Sequence, residues 1–530
     1  MPIDLKLERF QEENQEEHEF RPSAHHPSAP VHESFDISTT VDPSYVIALI
    51  RKLLPLDVKN GEKDVLGSDE LDKGPKTKGL EFHAVNLSEN GGEVEAMAAA
   101  QNFGEVNNTK GVDDELQHHH DKHQGVMVGE ETWEECGCIL WDLAASEDHA
   151  EFMVQNLILE VLLATLVVSQ SSRITEISLG IIGNLACHET PRKQIASTNG
   201  LVKVIVDQLF LDDVPCLCEA CRSITLCLQG GEGVVCAEAL EDEQILSRIL
   251  WIADNALNLQ LIEKSVGLLL AALESQKEVA DILLPPLMKL GLSGLLINLF
   301  ASEMSILTGE RTSERYAVLE LILRTIEALS VIDEYSEQIC LNKELFQLLN
   351  ELIKLPDKIE VANSCITAAV LIANILTDAT DLASDLSQDP TFLQGIFDIY
   401  PLASGDMEAQ SALWSIIARL LSQVQESEMS TSNLHLFVAM FATKVDLIED
   451  ELLDHQLDDV EHESSATCGT KLNARRIALK RIFDILTQWK SLEDDKKKVC
   501  KGENYINEED VDNLLNCCRK TWGSCTMDHS

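Results

Sequence analysis

The chain has 530 residues, with 90 acidic against 41 basic side chains and a formal net charge of −49. So acidic a surface repels phosphate, which argues against direct binding to nucleic acid or to an anionic membrane leaflet; its natural complement is a protein partner with a basic segment. Hydrophobic residues make up 45% but aromatics only 5%, and a core of Leu, Ile, Val and Ala fits stacked helices better than an all-β fold.

In chain order, residues 1–130 are rich in Glu, Asp, His, Gly, Asn and Ser without a sustained apolar period, and read as a largely disordered acidic region. Asp42–Leu54 is the exception: Asp42 suits an N-cap, Pro43 the first helical position, and Tyr45, Leu49 and Leu53 fall on one face of a short helix. The N-terminus is charged and has no apolar core of a secretory signal. The most apolar stretch, Leu157–Val168, carries Glu160 and is too short to span a bilayer. The 15 cysteines sit mostly inside apolar helical patterns, such as Cys187, Cys227 and Cys365. They read as reduced thiols packed as small hydrophobes, which fits an intracellular protein.

From residue 131 to 446 the helical period dominates and the chain becomes self-similar. Starting at Arg173, a helix with Ile177, Ile181 and Leu185 on one face leads to a short link, a small helix, and Asn199-Gly200 before a new helix at Leu201. Comparable units begin near Pro215, Leu259, Glu314, Lys358 and Asp406, about 42–55 residues apart, close to armadillo and HEAT spacing. Such a unit cannot bury its apolar face alone, so neighbours stack. The expected fold is all-α, a right-handed armadillo/HEAT-type α-solenoid. An acidic linker over 447–470 precedes C-terminal helices and a tail over 471–530. The main helix there is Leu472–Lys490, with Ile477, Ile482 and Ile485 on its apolar side, and a second lies near Glu508–Arg519.

Chemistry-bearing motifs are scarce. No Walker loop, strand-linked G-x-G-x-x-G or G-x-S-x-G elbow occurs. Gly230-Gly231-Glu232-Gly233 lies between two helices and reads as a helix stop. His118, His119, His120 and His123 have no cysteine pair beside them to close a tetrahedral site, and read as low-complexity histidine. Cys218 and Cys221 have C-x-x-C spacing, but Leu217, Ile224 and Leu228 continue an apolar helix around them, as packing would require. No catalytic, cofactor-binding or metal-binding residue is therefore assigned, and no small-molecule substrate is expected.

Trp141-Asp142-Leu143-Ala144, followed by Gly180-Ile181-Ile182-Gly183-Asn184-Leu185-Ala186-Cys187, resembles the serum amyloid A-like 1 protein family. The resemblance implies an armadillo-like, non-enzymatic protein of the nucleus, with the cytoplasm as a second location, that regulates cell proliferation. It brings no catalytic residues. Its motif positions (Trp141, Asp142, Gly180, Gly183, Asn184 and Cys187) read as mainly structural. In peptide-binding armadillo proteins an asparagine on the third helix of each repeat lines a groove. The matching positions here are Asn184, Cys227, Ala272, Asn374 and Arg419, a broken series in which Asn184, Asn374 and Arg419 are the candidate groove residues. The leading functional expectation is a protein-binding scaffold; the alternative is a nucleocytoplasmic transport adaptor, with Arg475–Arg481 and Lys496–Lys498 as candidate import signals.

Overall fold

A computed structural model describes residues 41–54, 120–309, 311–379, 381–424, 430–452, 468–492 and 506–523, and among these the only regular secondary structure is helix. By contacts the chain forms a large unit (residues 1–53 and 133–530) and a small one (54–132). The expected disorder over 1–130 falls mostly outside the described residues.

In the large unit, α1 (Pro43–Lys52) precedes the second half of α2 (His120–Leu143). Helices then come in triplets. In the first three, α3 (Glu147–Gln155) and α4 (Ile158–Val168) lead to α5 (Ser172–Ala186); α6 (Glu189–Ser197) and α7 (Leu201–Asp207) lead to α8 (Val214–Leu228); and α9 (Gly233–Leu240) and α10 (Glu243–Asn255) lead to α11 (Leu259–Glu274). The next three run α12 (Lys277–Lys289), α13 (Leu292–Gly309), α14 (Tyr316–Ser330); α15 (Asp333–Cys340), α16 (Lys343–Ile353), α17 (Ala362–Asp378); and α18 (Asp381–Ser387), α19 (Pro390–Ile399), α20 (Met407–Gln423). After α21 (Thr431–Ala442) come α22 (Cys468–Lys490) and α23 (Glu508–Gly523).

Third helices stack in series, each on the next from α5 to α20, and α20 on α22. Their starts recur at steps from 42 residues (Ser172 to Val214) to 57 (Leu259 to Tyr316). This is the armadillo-type α-solenoid. Local chemistry sets the period: α5, α8, α11 and α20 each begin at a capping side chain, Ser171, Asp213, Asn258 and Asp406, that accepts a backbone N–H of the first turn. Between first and second helices, Gly200 (φ +80°) and Gly291 (φ +99°) take the left-handed conformation that ends one helix and frees the next. Because α5 is covered by its own triplet and by α8, every residue from Ile174 to Ala186 is buried.

Two expectations change. Tyr45 does not face inward; it is half-exposed, and the buried stripe of α1 is Val46, Leu49, Ile50 and Leu53, an i, i+3, i+4, i+7 set. On α22, Ile477 is exposed while Ala478, Leu479, Ile482, Ile485, Leu486 and Trp489 carry the buried face. That helix is also a further rung of the ladder: Arg481 donates to the Leu421 and Val424 carbonyls at the end of α20, at 3.2 and 2.5 Å. By length and composition alone, α13 is also long and apolar enough to cross a membrane. In the fold α13 packs on α14 and α16, and its buried Glu303 pairs with Arg315.

Candidate functional site: a ladder of inter-helix joints and its acidic stretch

The first joint ties α2, α5 and α8. The Trp141 indole lies flat on Gly180, where a β-carbon would come within 2.1 Å of the ring. One turn on, a β-carbon at Gly183 would meet the Arg222 guanidinium at 2.7 Å. Close approach, not turn geometry, thus requires glycine at position 180, and at 183 a β-carbon would have to displace the guanidinium. Into the space they leave, Arg222 donates to the Gly180 carbonyl (3.3 Å) and to Asn184 Oδ1 (2.9 Å). Asn184 Nδ2 in turn donates to the Trp141 carbonyl at 2.9 Å. Glu219 pairs with the buried guanidinium from one turn away, Nε to Oε2 at 2.9 Å, which offsets part of the cost of burying it.

Asn184 is 1% exposed, so its amide is spent between helices. Cys187 is half-buried, with Sγ 3.5 Å from the Gly183 carbonyl, and burial pushes its thiol up against the opposing pull of Arg222 and Arg192. Asp142 is exposed on the outside of α2. The motif positions Trp141, Gly180, Gly183, Asn184 and Cys187 therefore meet in one place, and Asp142 stands beside it. Sequence reasoning missed Arg222. Its signal was a charged residue at a buried phase of the apolar α8.

Equivalent joints recur along the ladder. Asn374 Nδ2 donates to Ser330 Oγ at 3.0 Å, from α17 to α14. Arg419 donates to the Leu376 carbonyl and, at 3.1 Å, to Thr377 Oγ1, from α20 to α17. Asn374 and Arg419 remain half-buried, whereas Cys227 and Ala272 are buried. The three candidate groove residues thus lie in three separate joints, and each of them reaches back to the preceding rung. Among the basic residues weighed as import signals, Arg475 pairs with Glu451 at 2.8 Å and Arg481 makes the joint to α20; Lys496–Lys498 lie outside the described residues.

Between the joints the solvent side of the ladder is acidic. On α14, Glu320, Arg324 and Glu327 follow at i, i+4 and i+7, and so share one face. Arg324 donates to Glu274 of α11 at 3.1 Å, and Glu320 Oε1 accepts from Thr367 of α17 at 2.9 Å. Burial pushes the Glu327 carboxyl above its ordinary 4.5, and Glu408, Glu274 and Glu320 push it the same way while Arg324 opposes them. Burial likewise raises Glu320, against the pull of Thr367, Ser364 and Arg324. Beside Glu320 opens a groove of about 400 Å³, lined also by Tyr316, Arg324, Ile359, Glu360 and Asn363. The Tyr316 hydroxyl donates to Glu360 at 2.9 Å. Sequence reasoning passed over these carboxylates because acidic residues are everywhere in this chain; the usable signal was their one-face spacing on an apolar helix.

The cysteines at C-x-x-C spacing are packed thiols: Cys218 and Cys221 are buried, and burial pushes both up to about 12. His118 and His119 lie outside the described residues. Among the described residues no group of three or more His, Cys, Asp or Glu is placed to hold a metal.

Helix triplets whose third helices stack in series define an armadillo-type α-solenoid. No family model matches the chain. It is similar to protein saal1 of Danio rerio, 32% identical over 147 residues, which is 27% of this chain and 31% of that protein. Protein SAAL1 of Homo sapiens is 30% identical over 146 residues, with the same shares. The chain thus resembles the serum amyloid A-like 1 proteins over a segment that spans about a third of these relatives. Among solved structures, an engineered protein shares 15% identity at a TM-score of 0.45, over 73% of this chain and 85% of its own. A designed armadillo repeat protein in complex with the peptide (KR)4 shares 16% at a TM-score of 0.37, over 45% of this chain and 92% of its own.

Proposed function

We propose that this chain is a non-enzymatic scaffold whose acidic ladder face, over α11, α14 and α17, binds a basic segment of a partner protein. The observation that carries the reading is the run of Glu320, Arg324 and Glu327 along one face of α14, flanked by Glu274 of α11 and Thr367 of α17. Burial is the main cause that raises the pKa of Glu327, with Glu408, Glu274 and Glu320 adding to it and Arg324 opposing. Partly buried like charges store repulsion that an incoming Lys or Arg relieves, so the face is more favourable when occupied by a cation. The adjoining groove offers Ile359 and Leu321 to the aliphatic stem of such a side chain. The same charge disfavours nucleic acid and anionic membrane as partners. The resemblance to the serum amyloid A-like 1 proteins supports a nuclear protein that regulates cell proliferation.

The test is affinity capture from cell extract at low and high salt, with the native chain and with Glu320→Gln/Glu327→Gln. The reading expects a reproducible partner with a basic segment, lost at high salt, and captured about tenfold more weakly by the double variant, on the order of 1.4 kcal/mol. Partners indifferent to both salt and substitution would overturn it.

A further inference from the structure

The helix α1 belongs to the solenoid by contact rather than by its place in the chain. Its last carbonyl, that of Leu53, accepts the indole N–H of Trp133 at 3.1 Å, and the two residues are 80 positions apart. Val46, Leu49, Ile50 and Leu53, none more than 4% exposed, join the core that holds Trp133, Leu140 and Met153, and α1 packs against α3. Its opposite face, with Ser44, Tyr45, Ala48, Arg51 and Lys52, is exposed. A helix of ten residues is shorter than one that persists alone in water, although Asp42 caps its start through the Ser44 N–H and Pro43 presets its first turn. Its helical form therefore depends on the groove that receives it. Every feature by which that groove holds it is generic to an amphipathic helix: an apolar quartet at i, i+3, i+4, i+7 and one end carbonyl opposite an indole N–H.

From this geometry we infer that the N-terminal end of the solenoid is a receptor groove for an amphipathic helix, and that α1 is its exchangeable ligand in cis, displaced by a partner's helix of the same apolar spacing. Because α1 is tethered, it holds the groove at high effective concentration and sets a threshold that a partner's helix must exceed. Release exposes an apolar surface that includes Trp133.

The experiment uses the full chain, native and Leu49→Asp, with a fluorescent synthetic peptide of residues 41–54. The substitution places a charge at a buried position of α1 and frees the groove. The variant is expected to bind the peptide at least tenfold more tightly than the native chain does, and a peptide carrying Leu49→Asp is expected to lose that binding. Hydrogen exchange in the native chain is expected to be faster over α1 than over α5. Equal peptide affinity in the two proteins would overturn the inference, as would α1 amides as protected as those of α5. Loss of α5 protection in the variant would overturn it too, by making α1 an integral part of the fold. A dimer of the native chain that the peptide dissociates would likewise overturn it, because the groove would then hold the α1 of a second copy and not its own.

Discussion

Gly180 and Gly183 show how much of this fold rests on the absence of a single carbon. With a β-carbon at position 180 placed 2.1 Å from the Trp141 ring, Gly180→Ala must push the indole off α5 and loosen the Asn184 bond to the Trp141 carbonyl. Overpacking of this kind costs roughly 1–3 kcal/mol. Thermal melts should show the loss, and Gly180→Ala/Trp141→Leu should lose less than the two single changes summed, because the smaller side chain removes the clash. A Gly180→Ala protein with an unchanged melting temperature would place the ring elsewhere. Both glycines and the tryptophan stand out in the sequence as a motif. Their partner Arg222 does not, because α8 supplies it from 38 residues beyond Asn184, and no local pattern connects residues across a repeat.

At the scale of one element, α14 carries both a buried apolar face and an acidic one. Val318, Leu319, Ile322, Leu323, Ile326 and Leu329 fill the core, and Glu320, Arg324 and Glu327 run along the solvent side. Since the folded chain holds the Glu327 proton more tightly than an unfolded chain would, stability falls as pH rises from the ordinary carboxyl value through the raised one, and stays lower above it. Glu327→Gln should therefore raise the melting temperature at pH 7, on the order of 1 °C once partial exposure is discounted. Below the ordinary value of 4.5 it should change nothing. A gain of equal size at both pH values would mean that packing rather than charge is responsible. The apolar face of α14 was legible from its 3.6-residue period. The acidic face was not, since a net charge of −49 hides a one-face run of carboxylates among solvating ones.

Across the whole molecule, each rung touches its neighbours in series, so stability is a sum of near-neighbour terms and opening proceeds from the ends. The buried thiols report on this rung by rung. Cys221 and Cys227 lie in α8, Cys365 in α17 and Cys518 in the terminal α23, and burial pushes all four up to about 12. Such thiols react only through local opening. Labelling of the native chain followed by peptide mapping should modify Cys518 well before Cys221 and Cys227, with the half-buried Cys138, Cys187 and Cys517 fastest of all. Uniform rates among the buried thiols would instead indicate one cooperative unit. The repeat starts near Arg173, Pro215, Leu259, Glu314, Lys358 and Asp406 were readable because capping residues and apolar periods are local signals. The last rung, α22, was not read as one, because the residues before it break the repeat spacing.

Four arginines that tie one part of the stack to another, Arg248 of α10 among them, bond the main chain of a preceding segment, and this bears on how such a chain diverges. Arg222 bonds the Gly180 carbonyl, Arg248 those of Leu209 and Leu211, Arg419 that of Leu376, and Arg481 those of Leu421 and Val424. In every case the acceptor is a main-chain oxygen, which is the same whatever side chain its residue carries. Mutation can delete the donor, but it cannot delete the acceptor while the helix stands. Each of these main-chain bonds thus constrains a single codon, that of its arginine, whereas the Asn374–Ser330 joint depends on both side chains.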